Sequence, residues 1–204
     1  HAQALSHGIR SHLRDDTGFI QIASSACAPH IGVAPGLSGE FSLACERSNN
    51  MAWDVIKKST PDVVVMAQRW MHEQNDYVGI VAKLKQFGVK KIIIIGPVPQ
   101  WKIALSNIIA LRHFDDNETS FNDKAIDVDI LNTNRLMRGL NYDDSIVRYV
   151  SIIDSLCKGD KCLAKVDGNN TPLSWDYGHL TLEGSDYVVS KVIISNGGLN
   201  EYLK

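Results

Sequence analysis

The chain has 204 residues, of which 44% are hydrophobic and 22% charged, which suits one globular domain with a sizeable core. The formal net charge is -2, and no basic stripe is present, so nothing indicates a nucleic-acid partner. The longest apolar run, around residues 92–98, is too short to span a membrane. No signal peptide is visible, but the sequence starts at His1 without a methionine, so we expect a fragment or a processed product.

Predicted helices and strands alternate along the chain. Apolar residues at helical spacing predict the helices, and continuous apolar runs bounded by proline or glycine predict buried strands. In chain order, the predicted elements are a helix at 1–16, a strand at 19–23, a long loop to about 43, a helix at about 45–58, a strand at 61–67, a helix at 76–88, a strand within 90–99, helices in part of 104–111 and in 124–140, a strand at 146–154, and a final helix from 182 to about 196–198.

This alternation predicts an α/β fold with a doubly wound, mostly parallel sheet covered by helices on both faces. We expect a single domain over residues 1–204. The first helix has no strand before it, whereas each predicted strand is followed by a helix. We therefore expect the domain to be N-terminally truncated, with its first strand lying upstream of His1.

Four cysteines form two pairs that flank loop-like sequence. Cys27 and Cys45 enclose a Gly/Pro-rich stretch, and Cys157 and Cys162 enclose the polar turn KGDK. These positions predict two disulfides and hence an oxidising compartment. Four reduced thiols are the alternative, and a zinc site is disfavoured because neither pair has CxxC spacing. We expect no metal and no cofactor.

In a doubly wound sheet, function lies at the carboxyl ends of the strands. The residues at those predicted ends are Ser24, Ser25, Cys27 and Gly32, then Gln68, Arg69 and Trp70, then Pro97 to Trp101, and finally Asp154. Polar and aromatic residues therefore collect on one edge of the predicted sheet.

Asp176 and His179 stand three residues apart in a loop before the last predicted helix. A serine hydroxyl needs a base to take its proton, and histidine does this when a carboxylate holds its tautomer. Gly178 would permit the bend that brings the two side chains together. The alternative is an aspartate that caps a turn beside an ordinary surface or core histidine.

The segment WDYGHLTLEG resembles the DxxH block of the SGNH (GDSL-type) hydrolase superfamily. Together with SSACAPHIGV, PDVVVMAQRW, IIIIGPVPQW and the DSLCKGDKC hairpin, it makes most of the chain similar to the periplasmic SGNH domain attached to membrane acyltransferase-3 proteins, which O-acetylate surface polysaccharides such as lipopolysaccharide. The resemblance implies a three-layer fold with flavodoxin-like strand order, and a Ser-His-Asp triad that contains His179 and Asp176.

In this family, the nucleophile belongs to a GDSHA-type block, and His1 and Ala2 match the tail of that block. The resemblance therefore implies that the serine directly precedes His1 and that residues 1–204 are inactive by themselves. The serines near the N-terminus match no nucleophile position, and they are Ser6, Ser11, Ser24 and Ser25. The alternative is a complete domain whose match to GDSHA is accidental.

The oxyanion hole of this superfamily uses a block-two glycine, for which Gly32 is the match, and a block-three asparagine. The predicted strand ends in AQRW instead of an asparagine turn. Arg69 or Trp70 could supply the donor or line the sugar site, and a salt bridge at the sheet rim is the alternative for Arg69. Trp70 and Trp175 are predicted to line the acceptor cleft because flat indole faces suit sugar rings, whereas Trp53 is predicted to pack inside a helix.

The resemblance implies serine-dependent O-acyl transfer, with acetyl as the expected acyl group, to a cell-envelope carbohydrate in the periplasm. The partners would be a carbohydrate acceptor and an acyl donor supplied by an attached or separate membrane acyltransferase domain. A carbohydrate O-acetyl esterase and a non-catalytic carbohydrate-binding or interaction module are the alternatives.

Overall fold

The computed structural model describes residues 1–32, 36–142 and 145–204. The elements in chain order are α1 (Ala2–Ser11), α2 (Gly39–Ser59), β1 (Val63–Met66), a 3-10 turn (His72–Gln74), α3 (Tyr77–Gln86), β2 (Lys91–Ile95), α4 (Leu105–Ile108) continued by a π-helical turn (Ile109–His113), β3 (Ser120–Asn122), α5 (Val128–Arg138), β4 (Val147–Val150), α6 (Ile152–Leu156), β5 (Cys157–Lys158), β6 (Lys161–Leu163), and α7 (Leu182–Val188) continued by a π-helical turn (Val189–Ile193) and α8 (Ile194–Gly197).

The main sheet is parallel and has the strand order β1-β2-β4. Its central strand contains Ile92, Ile93, Ile94 and Ile95, none of which is more than 2% exposed. Successive side chains of a strand point to opposite faces. Ile93 and Ile95 therefore enter one hydrophobic core, and Ile92 and Ile94 enter a second core on the other face.

Helices cover both faces of this sheet. One core contains side chains from α1, α4 and α7, such as Leu5, Leu105 and Val188. The opposite core contains Ile80 and Leu84 of α3. The predicted α/β fold, with a parallel sheet between helical layers, is confirmed.

The strand predicted at residues 19–23 was wrong. These residues lie outside regular secondary structure, and no strand in the described parts of the chain pairs with them. Alternating apolar residues create a strand only where a neighbour supplies hydrogen bonds, and Ile20 is instead 66% exposed. Strand β1 lies at an edge of the sheet, and its Val65 is 38% exposed.

Two other predicted boundaries shift because side-chain caps start helices there. The strand predicted at 146–154 ends at Val150, and Ser151 then caps α6 by accepting the backbone N–H of Asp154 at 3.0 Å. Asp154 is therefore a helical residue and does not end a strand. The helix predicted at 124–140 begins only at Val128, after Asp127.

All four cysteines are in disulfides. Cys27 bonds to Cys45, at a sulfur–sulfur distance of 2.02 Å, and so attaches the loop before α2 to that helix. Cys157 bonds to Cys162 at 2.10 Å, across the β5–β6 hairpin. This hairpin joins β3 in a small antiparallel sheet of order β3-β6-β5.

Helix α1 packs directly on α7, the helix that follows the Asp–His loop. The backbone N–H of Gly8 donates to Ser185 Oγ at 2.9 Å. A Cβ atom at position 8 would lie only 2.4 Å from the carbonyl oxygen of Ser185, so the close approach requires glycine. The first residue of the chain is thereby brought to the Asp–His loop. No helix in the described parts of the chain is long and apolar enough to cross a membrane.

Candidate active site

Asp176 and His179 form a hydrogen-bonded pair within one loop. His179 Nδ1 lies 2.7 Å from Asp176 Oδ2, while Asp176 Oδ1 accepts the backbone N–H groups of Gly178 at 2.9 Å and His179 at 2.8 Å. Burial acts to raise the pKa of Asp176, but these hydrogen bonds outweigh burial and lower that pKa. Because an ionised carboxylate only accepts, the neutral His179 ring carries its proton on Nδ1 and keeps the lone pair of Nε2 for a substrate or nucleophile.

The Asp–His loop is attached to the segment after β2 through three consecutive carbonyl oxygens. The carbonyl of Trp175 accepts from Ser106 Oγ at 3.0 Å, that of Asp176 from the Leu105 N–H at 3.0 Å, and that of Tyr177 from the Trp101 N–H at 2.8 Å. Trp101 is itself buried. The position of the Asp–His pair is therefore determined by the carboxyl side of the central strand.

The far end of the loop is closed by the cap of α7. Thr181 accepts the backbone N–H of Gly184 at 2.9 Å through Oγ1, and the same hydroxyl donates to the carbonyl of Pro172 at 2.8 Å. The backbone N–H of Trp175 also donates to the backbone carbonyl of His179 at 3.0 Å. These bonds leave the loop little freedom to change the orientation of the imidazole.

The sequence predicted that Gly178 permits a bend of the backbone. The structure instead shows that glycine is needed at this position because there is no space for a side chain. Its φ does not lie in the left-handed region. A Cβ atom at this position would instead meet Gln100 Cγ at 2.8 Å and His1 Cε1 at 3.3 Å. The loop therefore approaches the strand end more closely than any residue with a side chain would allow.

A row of aromatic and cationic groups crosses the site. The Arg69 guanidinium carbon lies 4.7 Å from the ring centre of Trp70 and 4.1 Å from that of Tyr177. Tyr177 meets the His179 ring edge to face at 5.0 Å, and Trp175 stacks on His179 at 5.7 Å with an angle of 17° between the rings. The two indoles at the ends of the row are 55% (Trp70) and 59% (Trp175) exposed, so both present apolar faces to solvent.

Around His179 Nε2 the described residues supply a tyrosine and a second histidine. Tyr177 Oη lies 3.5 Å from Nε2, and the His1 ring centre lies 4.9 Å from that of His179. No serine hydroxyl within the described ranges is hydrogen-bonded to this nitrogen.

Gly32 lies in a different environment from the Asp–His pair. The loop before it is attached to α2, where Asn49 accepts the His30 N–H at 3.0 Å and Trp53 donates to the His30 carbonyl at 3.0 Å. Gly32 is exposed and has a φ of +79°, and a Cβ atom at this position would have no heavy atom within 4 Å among the described residues. Its role in an oxyanion hole stays a prediction.

The structure brings together Asp176, His179, Arg69, Trp70 and Trp175 of the predicted site. Sequence reasoning missed Tyr177, and it placed Gln100 at a strand end without giving it a role. Gln100 is buried, and its side-chain Nε2 donates to the carbonyl of Arg69 at 2.9 Å. The signal available for Tyr177 was its place between Asp176 and His179. For metal binding, the described residues contain no group of three or more His, Cys, Asp or Glu side chains with suitable geometry.

An Asp–His pair at the carboxyl side of a parallel sheet, with an open imidazole nitrogen beside the start of α1, is typical of α/β enzymes that activate a serine for acyl transfer. A family model described as the SGNH domain fused to AT3 domains matches residues 1–193. The chain therefore belongs to this family of SGNH domains.

One solved structure with the same fold is the periplasmic domain of a lipopolysaccharide acetyltransferase from Salmonella ser. Paratyphi A. The match has a TM-score of 0.62 and 24% sequence identity, and it covers 78% of this chain. It covers 65% of the Salmonella chain, which is less than two thirds of that chain's length. No curated protein sequence matches the chain.

Proposed function

We propose that the intact protein transfers an acyl group, acetyl in the first instance, to a hydroxyl of a cell-envelope carbohydrate through a Ser-His-Asp triad. The observation that carries this proposal is the 2.7 Å Asp176–His179 pair, whose Nε2 is directed away from the carboxylate. Family membership and the fold shared with the Salmonella periplasmic domain support it.

The proposed nucleophile is a serine directly before His1. The His1 ring centre lies 4.9 Å from that of His179, and the proposed residue is bonded to the backbone nitrogen of His1. A residue bonded to that nitrogen would enter the same site. The strand leading to this serine would find space beside β1, whose outer side has no partner strand among the described residues.

The chemistry balances in two half-reactions. Serine Oγ attacks the acyl carbonyl while its proton passes to His179 Nε2, and the leaving group departs with that proton, so an acyl-serine ester remains. A sugar hydroxyl then attacks the ester and gives its proton to Nε2. The serine oxygen takes the proton back as the sugar ester leaves.

Trp70 and Trp175 are proposed to hold the acceptor carbohydrate. Both indoles are more than half exposed, and they lie at opposite ends of the row that contains His179. An indole ring offers a flat apolar face and one N–H donor, which suits the faces and hydroxyls of a sugar. A periplasmic location, which the two disulfides fit, would place the domain beside such acceptors.

The test uses the protein produced with the residues that precede His1 in its gene. It is incubated with 4-nitrophenyl acetate and a cell-envelope polysaccharide, and the products are analysed for sugar acetyl esters. The expected result is acetylated polysaccharide, which is lost in the His179→Ala variant and retained in His7→Ala, a change of an exposed histidine on α1.

Two results would contradict the proposal. Free acetate without sugar ester would identify a hydrolase, the esterase alternative. Equal turnover in the parent and in His179→Ala, with the polysaccharide still bound, would identify a non-catalytic carbohydrate-binding module.

A further inference from the structure

Arg69 is a cationic side chain at the site, and the described residues supply it with no carboxylate partner. No salt bridge among the described residues includes its guanidinium, and its buried Nε has no hydrogen-bond acceptor there. A buried donor without an acceptor costs about 1–3 kcal/mol. Beside a catalytic pair, such a donor indicates a place for an acceptor that is absent from the described residues.

The guanidinium is held in a fixed orientation before any substrate binds. It lies between the rings of Trp70 and Tyr177, at 4.7 and 4.1 Å from their centres, and Gln100 holds the Arg69 carbonyl at 2.9 Å. A planar guanidinium stacked on aromatic rings loses little further freedom when its N–H groups form hydrogen bonds. This is the property required of a preorganised donor.

The location of Arg69 matches the place where negative charge would develop. Arg69 follows β1 at its carboxyl end, and its partner Tyr177 lies between Asp176 and His179. Tyr177 meets the His179 ring at 5.0 Å between ring centres, and the His1 ring, next to the proposed nucleophilic residue, lies 4.9 Å from that of His179. The cation is therefore close to the Asp–His pair, where the proposed serine would attack the acyl carbonyl.

We infer that Arg69 is the oxyanion donor of the acyl-transfer reaction, an inference that rests on the function proposed above. When serine Oγ forms its bond to the acyl carbon, the carbonyl π pair moves onto the oxygen and the serine proton moves to His179. A guanidinium N–H of Arg69 donates to that negative oxygen. When the carbonyl forms again, the leaving group departs with the proton from His179, and Arg69 is unchanged.

The sequence offered two roles for Arg69, a donor in the oxyanion hole or a contact in the sugar site, and this assignment selects the donor. It also accounts for a strand end that has Arg69 and Trp70 where the family pattern has an asparagine. A donor for the acyl oxygen must act on every acyl substrate, including one that contains no sugar. An arginine that only recognises an anionic glycan must leave such a substrate unaffected.

The experiment measures the burst of acetyl-enzyme formation from 4-nitrophenyl acetate, an uncharged ester without a sugar. The protein again includes the residues that precede His1. Arg69→Gln is expected to slow acylation by about 10²–10³-fold, the loss found when one oxyanion donor is removed, with little change in the ester concentration at half-saturation. Arg47→Gln, a change of an exposed arginine on α2, is the matched control and is expected to acylate normally.

Further variants separate chemistry from folding. Arg69→Lys keeps the positive charge and is expected to recover part of the rate, and added methylguanidinium is expected to recover part of the rate of Arg69→Ala. Normal acylation by Arg69→Gln, with weaker binding of an acidic polysaccharide, would overturn the inference and make Arg69 a glycan-binding residue. If His179→Ala also acylates normally, the proposed function itself has failed, and that failure is separate from the result at Arg69.

Discussion

The backbone N–H of Leu105 donates a hydrogen bond to the carbonyl oxygen of Asp176 at 3.0 Å. Leu105 begins α4, directly after the segment that leaves the central strand, and it is fully buried. The carboxylate that orients His179 is thus attached to the buried core beside the central strand. A catalytic pair needs such support because small displacements of reacting groups cost large factors in rate.

Replacing Asp176 by Asn is expected to lower turnover about 10⁴-fold while leaving the fold intact. Asn can still accept the two backbone N–H groups of the loop, but its amide donates toward His179 Nδ1 and so favours the wrong tautomer. Steady-state turnover of 4-nitrophenyl acetate measures the loss.

The matched control is Asp186→Asn, because Asp186 forms another Asp–His pair, 2.9 Å from His12 Nε2, outside the site. This variant is expected to keep its turnover. Similar losses in both variants would mean that the effect is general and not a property of the Asp176–His179 pair.

Replacing Gly178 by Ala is expected to lower stability by about 1–3 kcal/mol and to reduce turnover, because the new methyl group must displace Gln100. Urea denaturation and turnover measure the two effects. Gly168→Ala is the control, since a Cβ atom there has no heavy atom within 4 Å among the described residues. Equal behaviour of the two variants would show that the close approach at Gly178 has no role.

The Asp176–His179 contact was predictable because it is local. The two residues belong to one loop, and Asp176 Oδ1 binds backbone N–H groups of that same loop. The stacking of Arg69 on Tyr177 joins residues more than a hundred positions apart and depends on strand order and loop paths, which no short pattern encodes.

The strands likewise differ in whether the local sequence alone could predict them. The buried strand β2 was predicted from its isoleucines alone, because a fully buried strand needs only apolar side chains on both faces. Residues 19–23 have the composition of a strand, but composition does not provide a hydrogen-bonding neighbour. The cap at Ser151 likewise decided a boundary that apolar content could not.

His72 is expected to make the fold less stable in mild acid. Burial lowers the pKa of His72 to about 4, with a smaller opposing effect of the Gln68 backbone. The unfolded chain binds this proton near pH 6.5. The unfolded state therefore holds more protons between pH 4 and 6.5, and stability is complete above that window and falls as the pH drops through it.

The expected loss is roughly 3 kcal/mol across this window, from about 1.4 kcal/mol per pKa unit. Urea denaturation at several pH values measures it. His72→Leu is expected to remove this contribution to the pH dependence, whereas His7→Leu, at an exposed position, is expected to keep it. An unchanged pH dependence in His72→Leu would contradict the assignment.

The two disulfides are expected to contribute unequally to stability. Cys27 and Cys45 are 18 positions apart, and Cys157 and Cys162 are 5 apart. Loop-closure entropy then predicts losses of about 3 and about 2 kcal/mol when each pair is changed to serine. Urea denaturation of the two double variants checks the order, and a larger loss at the short loop would contradict the entropic argument.

The contact between Gly8 and Ser185 is the point about which α1 would tilt relative to α7. His1 lies seven positions before Gly8, about 10 Å at 1.5 Å per residue, so a tilt of α1 about its contact with α7 would move His1. A tilt of α1 by only a few degrees would shift His1 by a large part of an ångström relative to His179. A position far from the chemistry, with no polar side chain of its own, therefore controls how well the two ends of the site are aligned.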